Sequence, residues 1–247
     1  MPNSNTNRGV LALTTLDESS RILLDQAARI AEKMQVPLAV LHVKEPAKAI
    51  RQDNQFSAKK ELYQDYGNTA EQLKALCKDL PVPATCNLIY SHISSGVRET
   101  IRESNPHVVV LGRRRPKLGG LLGDRLTEWV LEEARGSVLI VDLEKGLHSE
   151  TVGVFADRGE IELEPWDALL EMESDAMRYF SVKQDSLPQT RVSGNHFVFT
   201  DEGDALERLT AFADKVPTGL FCIPKGVNRS LAKKMIGKLQ GSLLVVG

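Results

Sequence analysis

The sequence has no apolar stretch long enough to cross a bilayer, and it has few aromatic residues. No run reaches 18 consecutive apolar residues, so the sequence predicts no membrane-spanning helix. Aromatic residues make up only 5% of the 247 positions, but hydrophobic residues make up 42%, which is typical of a globular protein and not of a disordered one. The first nine residues, MPNSNTNRG, are polar and predict no secretory signal. We therefore expect a cytoplasmic protein.

The sequence also lacks a charge excess and a pattern of paired cysteines. It has 31 Lys and Arg against 33 Asp and Glu, whereas a nucleic-acid-binding domain is usually strongly basic. Cys77, Cys86 and Cys222 are odd in number and show no CxxC spacing, which argues against a disulfide framework or a zinc site. We interpret them as small hydrophobic residues in a reducing compartment. Nucleic acid is not an expected partner.

Short apolar runs alternate with longer segments of helical periodicity in residues 1–142. The runs are continuous, as expected of strands in a parallel sheet that has helices on both faces. Helical stripes run from Ile22 to Met34 and from Leu62 to Leu80, and further helices are expected after Gly96 and Gly123. Five strands and four helices are predicted. The predicted strands are Val10–Leu13, Leu38–Val43, Cys86–Ile89, Val108–Leu111 and Val138–Val141.

A similar pattern begins again after a polar linker at residues 143–150. The segment GSVLIV, which ends at Val141, is repeated as GSLLVV, which ends at Val246, and each segment follows a predicted helix. We interpret the chain as two copies of one fold, a complete domain at 1–142 and a shortened domain at 151–247. The strands predicted in the second copy are Val152–Phe155, Met177–Val182, His196–Thr200, Gly219–Ile223 and Leu243–Val246.

The second copy is shorter chiefly because two of its connections are short. Only a loop fits between Val182 and His196, so the helix expected there is missing. The connection after Ile223 is also much shorter than its counterpart in the first copy. We therefore expect the second copy to lack a counterpart of the glycine-rich loop that spans residues 112–124 of the first copy.

A basic, glycine-rich loop follows the fourth predicted strand and leads into the fourth helix. Ligands of parallel α/β sheets bind at the carboxyl ends of the strands, where helix N-termini favour anions. Four glycines let the backbone approach a phosphate closely, and neighbouring arginines add positive charge. The loop is a candidate cradle for a nucleotide phosphate; the alternative is a flexible basic connection in which Asp124 is the helix N-cap. The candidate residues are Gly112, Arg113, Gly119, Gly120, Gly123, Asp124 and Arg125.

Several segments resemble universal stress protein domains. They are the first strand with Ser19 after it, the second strand Leu38–Pro46, and the segment Asn105–Gly112 that precedes the glycine-rich loop. The second copy is similar more weakly, through its first, fourth and fifth strands. The resemblance implies a tandem member with two flavodoxin-like (adenine nucleotide α-hydrolase-like) sheets of strand order 3-2-1-4-5. It also implies pairing through the fifth strands, which we expect between the two copies of this chain; a homodimer is an additional alternative.

Universal stress protein domains, which this sequence resembles, fall into two branches, one that binds ATP and one that does not. The binding branch has an Asp at the end of the first strand and a loop of the form G-x2-G-x9-G-[ST]. Here Thr14 occupies the Asp position, Arg115 replaces the second glycine, and Asp124 replaces the Ser or Thr. The second copy has Asp157 at the end of its first strand but lacks the loop. The resemblance adds Thr14 and Leu41 to the candidate ligand-binding residues.

Replacing a hydroxyl by the Asp124 carboxylate should weaken phosphate binding. A carboxylate competes for the N–H groups of the helix N-terminus and repels the anion. Two like charges about 4 Å apart at an effective dielectric constant near 20 repel by roughly 4 kcal/mol. We therefore expect no nucleotide in the second copy, and weak ATP binding or binding of another anion in the first.

No group of residues in the sequence predicts turnover. The five histidines are scattered, and no serine lies in a G-x-S-x-G context. We expect a protein without enzymatic activity that acts as a regulatory or binding module in the stress response. The alternatives are an ATP-binding stress protein that hydrolyses ATP slowly and a regulatory domain or partner of a membrane transporter.

Overall fold

The computed structural model of the chain contains two compact units. The first unit comprises residues 1–136 and the second comprises residues 137–247. The structure describes residues 8–46, 55–113, 122–144, 146–147, 150–156, 163–164, 166–172, 176–182, 195–199, 202–216, 218–225, 229–239 and 241–247.

The first unit is built on four parallel strands with largely buried apolar side chains. The strands are β1 (Val10–Leu13), β2 (Leu38–Lys44), β3 (Ala84–Tyr90) and β4 (Val108–Gly112). β1 pairs with β2 and β4, and β2 also pairs with β3, which gives the order β3-β2-β1-β4. Every residue of the central strand β1 is buried, because apolar runs of this kind form strands that are covered on both faces.

Four helices connect and cover these strands. They are α1 (Ser20–Met34), α2 (Gln55–Lys78), α3 (Ile93–Ser104) and α4 (Leu122–Glu133). α1 packs on β1, β2 and β4, whereas α2 packs on β3. The buried side of α1 includes Leu23, Ala27 and Ile30, which recur at helical spacing along the sequence. Periodicity therefore identified the face that α1 turns toward the sheet.

The second unit contains six strands and three helices in the part that the structure describes. The strands are β5 (Ser137–Val141), β6 (Val152–Ala156), β7 (Met177–Val182), β8 (Asn195–Phe199), β9 (Leu220–Pro224) and β10 (Ser242–Val246). The helices are α5 (Trp166–Leu169), α6 (Glu202–Lys215) and α7 (Arg229–Lys238). The strand order is β5-β10-β9-β6-β7-β8. β6 to β10 are mutually parallel, and among themselves they follow the order 3-2-1-4-5.

β5 and β10 pair with each other in antiparallel orientation. Leu139 lies opposite Leu244 in this ladder. Hydrogen bonds to serine hydroxyls extend it at both ends: the Asp142 N–H donates to Ser242 Oγ at 3.0 Å, and the Gly247 N–H donates to Ser137 Oγ at 3.1 Å. The predicted contact between the two fifth strands is therefore present within the second unit.

The structure confirms an α/β fold with a mostly parallel sheet and the predicted order 3-2-1-4-5. The division between the two compact units falls after Gly136, whereas the predicted linker between the domains lies at residues 143–150. The connection at 183–194, where we predicted a missing helix, lies outside the described residues.

Two predicted helix starts were wrong. α3 begins at Ile93 and not after Gly96, which lies inside the helix. A Cβ atom at Gly96 would lie 2.6 Å from Ser91 Oγ and 3.0 Å from a methyl group of Val43. This glycine therefore allows close packing of α3 on β2 and does not mark a helix boundary.

α4 begins at Leu122, two residues before Asp124. Asp124 is therefore a residue of the first turn and not the predicted N-cap. Gly123 is tolerated there because the first N–H groups of a helix have no intrahelical acceptor, so the first turn depends less on intrahelical hydrogen bonds.

Candidate functional site

The carboxyl ends of β1 and β4 lie side by side in the first unit. Leu13 is paired with Leu111, so the next residues along the two parallel strands are Thr14 and Gly112. Thr14 is buried, and its N–H donates to the Leu41 carbonyl oxygen at 3.0 Å. The strand ends therefore bring together the predicted site residues Thr14, Leu41 and Gly112, and Arg113 follows directly.

The remaining predicted site residues lie in the loop or in the following helix. Gly119 and Gly120 are outside the described residues. Gly123, Asp124 and Arg125 belong to the first turn of α4, where Arg125 is exposed.

A carboxylate that the sequence analysis missed lies just after β1. Asp17 Oδ1 accepts hydrogen bonds from the Ser19 N–H at 3.1 Å and from the Ser19 hydroxyl at 2.6 Å. The Thr15 hydroxyl donates to Asp17 Oδ2 at 2.6 Å, and the Ser20 hydroxyl also donates to the carboxylate. These bonds fix a negative charge immediately before α1, at the edge of the sheet where an anionic ligand would bind.

The hydrogen bonds around Asp17 favour its ionised form. Burial acts to raise the pKa of Asp17, but the bonds from Ser19, Thr15 and Ser20 outweigh it and hold that pKa below its ordinary value. Asp17 is therefore a carboxylate at neutral pH. It adds negative charge to the β1 end of the candidate site.

We expect Asp17→Ala to lower the free energy of unfolding by about 1 kcal/mol at pH 7, because it removes the acceptor of several hydrogen bonds. The folded-state pKa lies below the unfolded value of about 3.9, so the stabilisation is complete above that pH and is lost as the pH falls through the folded-state pKa. Urea titrations between pH 7 and pH 3 would measure this. Glu18→Ala, which removes the adjacent exposed carboxylate, is the matched control. Two outcomes would contradict the role of Asp17: an equal loss of unfolding free energy in both variants, or a difference between wild type and Asp17→Ala that does not become smaller as the pH falls.

His42 lies beside the same strand ends. Its Nδ1–H donates to the Thr14 carbonyl oxygen at 2.8 Å. Burial lowers the pKa of His42, although the hydrogen bond to Thr14 opposes this effect. A neutral His42 holds β1 to β2 and adds no positive charge for an anion.

A second group of polar side chains lies between β2, β3 and α2. Lys44 Nζ is 2.7 Å from Asp65 Oδ1, and the Tyr90 hydroxyl donates to Asp65 Oδ2 at 2.5 Å. Thr69 Oγ1 lies 3.3 Å from Lys44 Nζ and 3.4 Å from the Tyr90 hydroxyl oxygen. Burial acts to raise the pKa of Asp65, but the bonds from Lys44 and Tyr90 lower it overall. These interactions join the middle of α2 to the carboxyl ends of β2 and β3.

Comparison with protein-family models gives one match. The model described as the universal stress protein family matches residues 6–142, which are more than half of the chain. The chain belongs to that family. A comparison with curated proteins gave no match.

Solved structures similar to this universal stress protein include two that cover nearly all of it. One is a universal stress protein from Archaeoglobus fulgidus DSM 4304, with 13% identity, 97% of this chain and 98% of that chain covered, and a TM-score of 0.63. The other is a functionally unknown protein from Pseudomonas aeruginosa PAO1, with 13% identity, 97% and 92% coverage, and a TM-score of 0.57. At this identity the likeness establishes the fold alone.

The two copies can be aligned through the backbone hydrogen bonds that precede β1 and β6. The His107 N–H donates to the Gly9 carbonyl oxygen, and the Gly219 N–H donates to the Thr151 carbonyl oxygen in the corresponding place before β6. With Gly9 equivalent to Thr151, the residue equivalent to Asp157 is Thr15, one position beyond Thr14. Asp157 itself lies outside the described residues.

In the part of this universal stress protein that the structure describes, no three His, Cys, Asp or Glu side chains are grouped so that they could hold a metal ion. No helix in the described ranges is long and apolar enough to span a membrane.

Proposed function

We propose that this universal stress protein is a cytoplasmic, non-catalytic regulatory or binding protein of the stress response. In this proposal it is a tandem member whose first copy keeps a degenerate nucleotide-phosphate site formed by Thr14, Leu41, Gly112 and Arg113 with the loop that follows. The ligand would be a small anion or an adenine nucleotide bound weakly. The second copy would bind no nucleotide.

One observation carries the proposal. Just after β1, the Thr15 hydroxyl donates a hydrogen bond to the ionised Asp17 side chain. The site therefore offers a fixed carboxylate near the place where a polyphosphate would extend, in addition to Asp124 in the first turn of α4. Each further phosphate on a ligand adds charge that these carboxylates repel.

The absence of turnover is supported by what lies near the strand ends. His42 is neutral and engaged with the Thr14 carbonyl oxygen. Asp17 is held in its ionised form by the hydroxyls of Thr15, Ser19 and Ser20. A general base should have its pKa near the operating pH, and Asp17 does not. Binding without reaction is the chemistry that these groups support.

Calorimetric titration of the full chain with ATP, AMP and inorganic phosphate tests the proposal. We expect ATP to bind no more tightly than AMP and with a dissociation constant no lower than about 1 mM, which corresponds to roughly 4 kcal/mol. Arg113→Gln should weaken whatever binding is measured. Lys60→Gln, which removes one exposed positive charge on α2, is the matched control and should leave it unchanged.

Two results would contradict the proposal. One is micromolar ATP binding that is at least tenfold tighter than AMP binding and is lost in Arg113→Gln but not in Lys60→Gln. The other is release of phosphate from ATP by the wild-type chain that the same Arg113 variant abolishes. Either result would favour an ATP-binding stress protein with slow hydrolysis.

A further inference from the structure

Two of the three cysteines lie against each other in the first unit. Cys77 is in the last turn of α2, and Cys86 is in the middle of β3. The two side chains are within hydrogen-bonding reach. The third cysteine, Cys222, is fully buried in β9 of the second unit.

The packing of α2 on β3 explains why the two thiols meet. Thr69 of α2 contacts the hydroxyl of Tyr90 at one end of β3. Cys77 lies eight residues after Thr69, which is about 12 Å along the helix. Cys86 lies four residues before Tyr90, which is about 13 Å along the strand. Because these distances agree, the helix and the strand, running in opposite directions, place the two side chains at the same level.

The connection between the two elements keeps the pair together. α2 ends at Lys78 and β3 begins at Ala84, so only residues 79–83 join them. Two of these residues are Pro81 and Pro83, which fix their own φ angles and restrict the residues before them. A bond between Cys77 and Cys86 would close a short ring without requiring the two elements to separate.

The two thiols differ in exposure. Cys86 is half-buried, so a small reagent can reach it, whereas only 8% of Cys77 is exposed. Burial and the contact with Cys86 raise the pKa of Cys77 to about 12. Cys77 also lies at the C-terminal end of a helix, which disfavours a negative charge. Because Cys86 is the more accessible thiol, a hydroperoxide reaches it first, and Cys77 is the thiol that reacts second.

We propose that Cys77 and Cys86 form an oxidation site at which a hydroperoxide converts the two thiols into an intramolecular disulfide. The Cys86 thiolate attacks one peroxide oxygen, forming an S–O bond as the O–O bond breaks and an alcohol, or water from hydrogen peroxide, leaves. Cys77 sulfur then attacks the sulfenic sulfur of Cys86, forming the S–S bond as the S–O bond breaks and water leaves. The two thiols lose two electrons and two protons in all, and the peroxide gains them.

The disulfide would tie the C-terminal end of α2 to β3. The Lys44, Asp65 and Tyr90 contacts hold the middle of the same helix to the sheet. Oxidation would therefore fix α2 on β2 and β3 at two levels, by a covalent bond at the end of the helix and by the polar cluster at its middle. An oxidised chain should unfold at a higher temperature than the reduced chain.

Treatment of the full reduced chain with hydrogen peroxide tests the proposal. We expect the number of free thiols, titrated after denaturation, to fall from three to one, and the intact mass to fall by the two hydrogens lost. Peptide mapping without reductant should show Cys77 linked to Cys86 in the wild-type chain. Cys222→Ser is the matched control, and its two remaining thiols should disappear at the wild-type rate.

A chain lacking Cys77 separates this chemistry from general thiol oxidation. Cys77→Ser, once shown to be folded by circular dichroism, should accumulate a sulfenic acid at Cys86 that dimedone traps. Retention of all three thiols, a disulfide between two chains, or oxidation of Cys86 to sulfinic acid while Cys77 stays reduced would each overturn the proposal. If the variant does not fold, peptide mapping of the wild-type chain alone still shows whether the Cys77–Cys86 bond forms.

Discussion

Replacing Gly136 by alanine is expected to lower the free energy of unfolding of the first unit by about 3–5 kcal/mol. A Cβ atom at this position would lie 2.1 Å from the His107 carbonyl oxygen and 2.7 Å from the Pro106 carbonyl oxygen. Both obstacles are backbone atoms, so no side-chain rotation relieves the overlap. The His107 N–H also anchors the start of β4 to Gly9, and a backbone shift there would disturb that bond.

The fluorescence of Trp129 in α4 can report this loss during urea unfolding if Trp166 is replaced by phenylalanine. Gly67→Ala is the matched control, because an added Cβ at Gly67 in the middle of α2 meets no atom within 4 Å. That control should gain about 1 kcal/mol from the higher helix propensity of alanine. A loss below about 1 kcal/mol in the Gly136 variant would show that the backbone beside β4 yields easily.

Replacing Phe180 by alanine should cost the second unit about 3–5 kcal/mol. Phe180 in β7 is 1% exposed and contacts two other rings, with centroid distances of 5.3 Å to Phe197 and 5.1 Å to Phe212. These contacts join β7, β8 and α6 in one aromatic cluster. Loss of the central ring removes buried apolar area and also leaves a cavity.

Phe197→Ala is the matched control for this variant. Phe197 belongs to the same cluster, but 39% of it is exposed, so its removal should cost less than half as much. Trp166, which is buried in the second unit, can report both variants in a chain that carries Trp129→Phe. Equal losses in the two variants would show that the cluster, and not burial at Phe180, sets the stability.

The sheet could be predicted from the sequence because its strands are continuous apolar runs. The run from Val108 to Leu111 is entirely buried, and such a run between glycine or proline residues has few alternatives to a central strand. The starts of helices were harder to predict. Glycine often marks the end of a helix, but Gly96 is required by close contact with Val43, which is more than 50 residues away in the sequence.

The candidate site was predictable only at the strand ends. Thr14 and Gly112 are adjacent because their strands pair in register, which strand order alone implies. The role of Asp17 could not be predicted from the sequence, because its charge is fixed by local hydroxyl contacts from Thr15 and Ser19. The alignment of Thr15, and not Thr14, with Asp157 could also be inferred only from the backbone hydrogen bonds that precede β1 and β6.

The proximity of two cysteines could not be predicted from the composition. The odd number of cysteines and the lack of CxxC spacing argued against a disulfide framework, but they say nothing about which cysteines are close in space. Cys77 and Cys86 meet because α2 and β3 run in opposite directions with a short connection between them. A hint was available in the sequence, since Tyr66, Thr69, Leu73 and Cys77 share one helical stripe.

The pairing of β5 with β10 has a consequence for the order in which the chain is made. β5 leaves the ribosome about 105 residues before its antiparallel partner, which is roughly 5–20 s at ordinary rates of translation. During that interval the edge of β5 that later meets β10 is an apolar strand edge without this partner. The nascent chain would therefore depend most on chaperones after β5 has been made and before β10 has emerged.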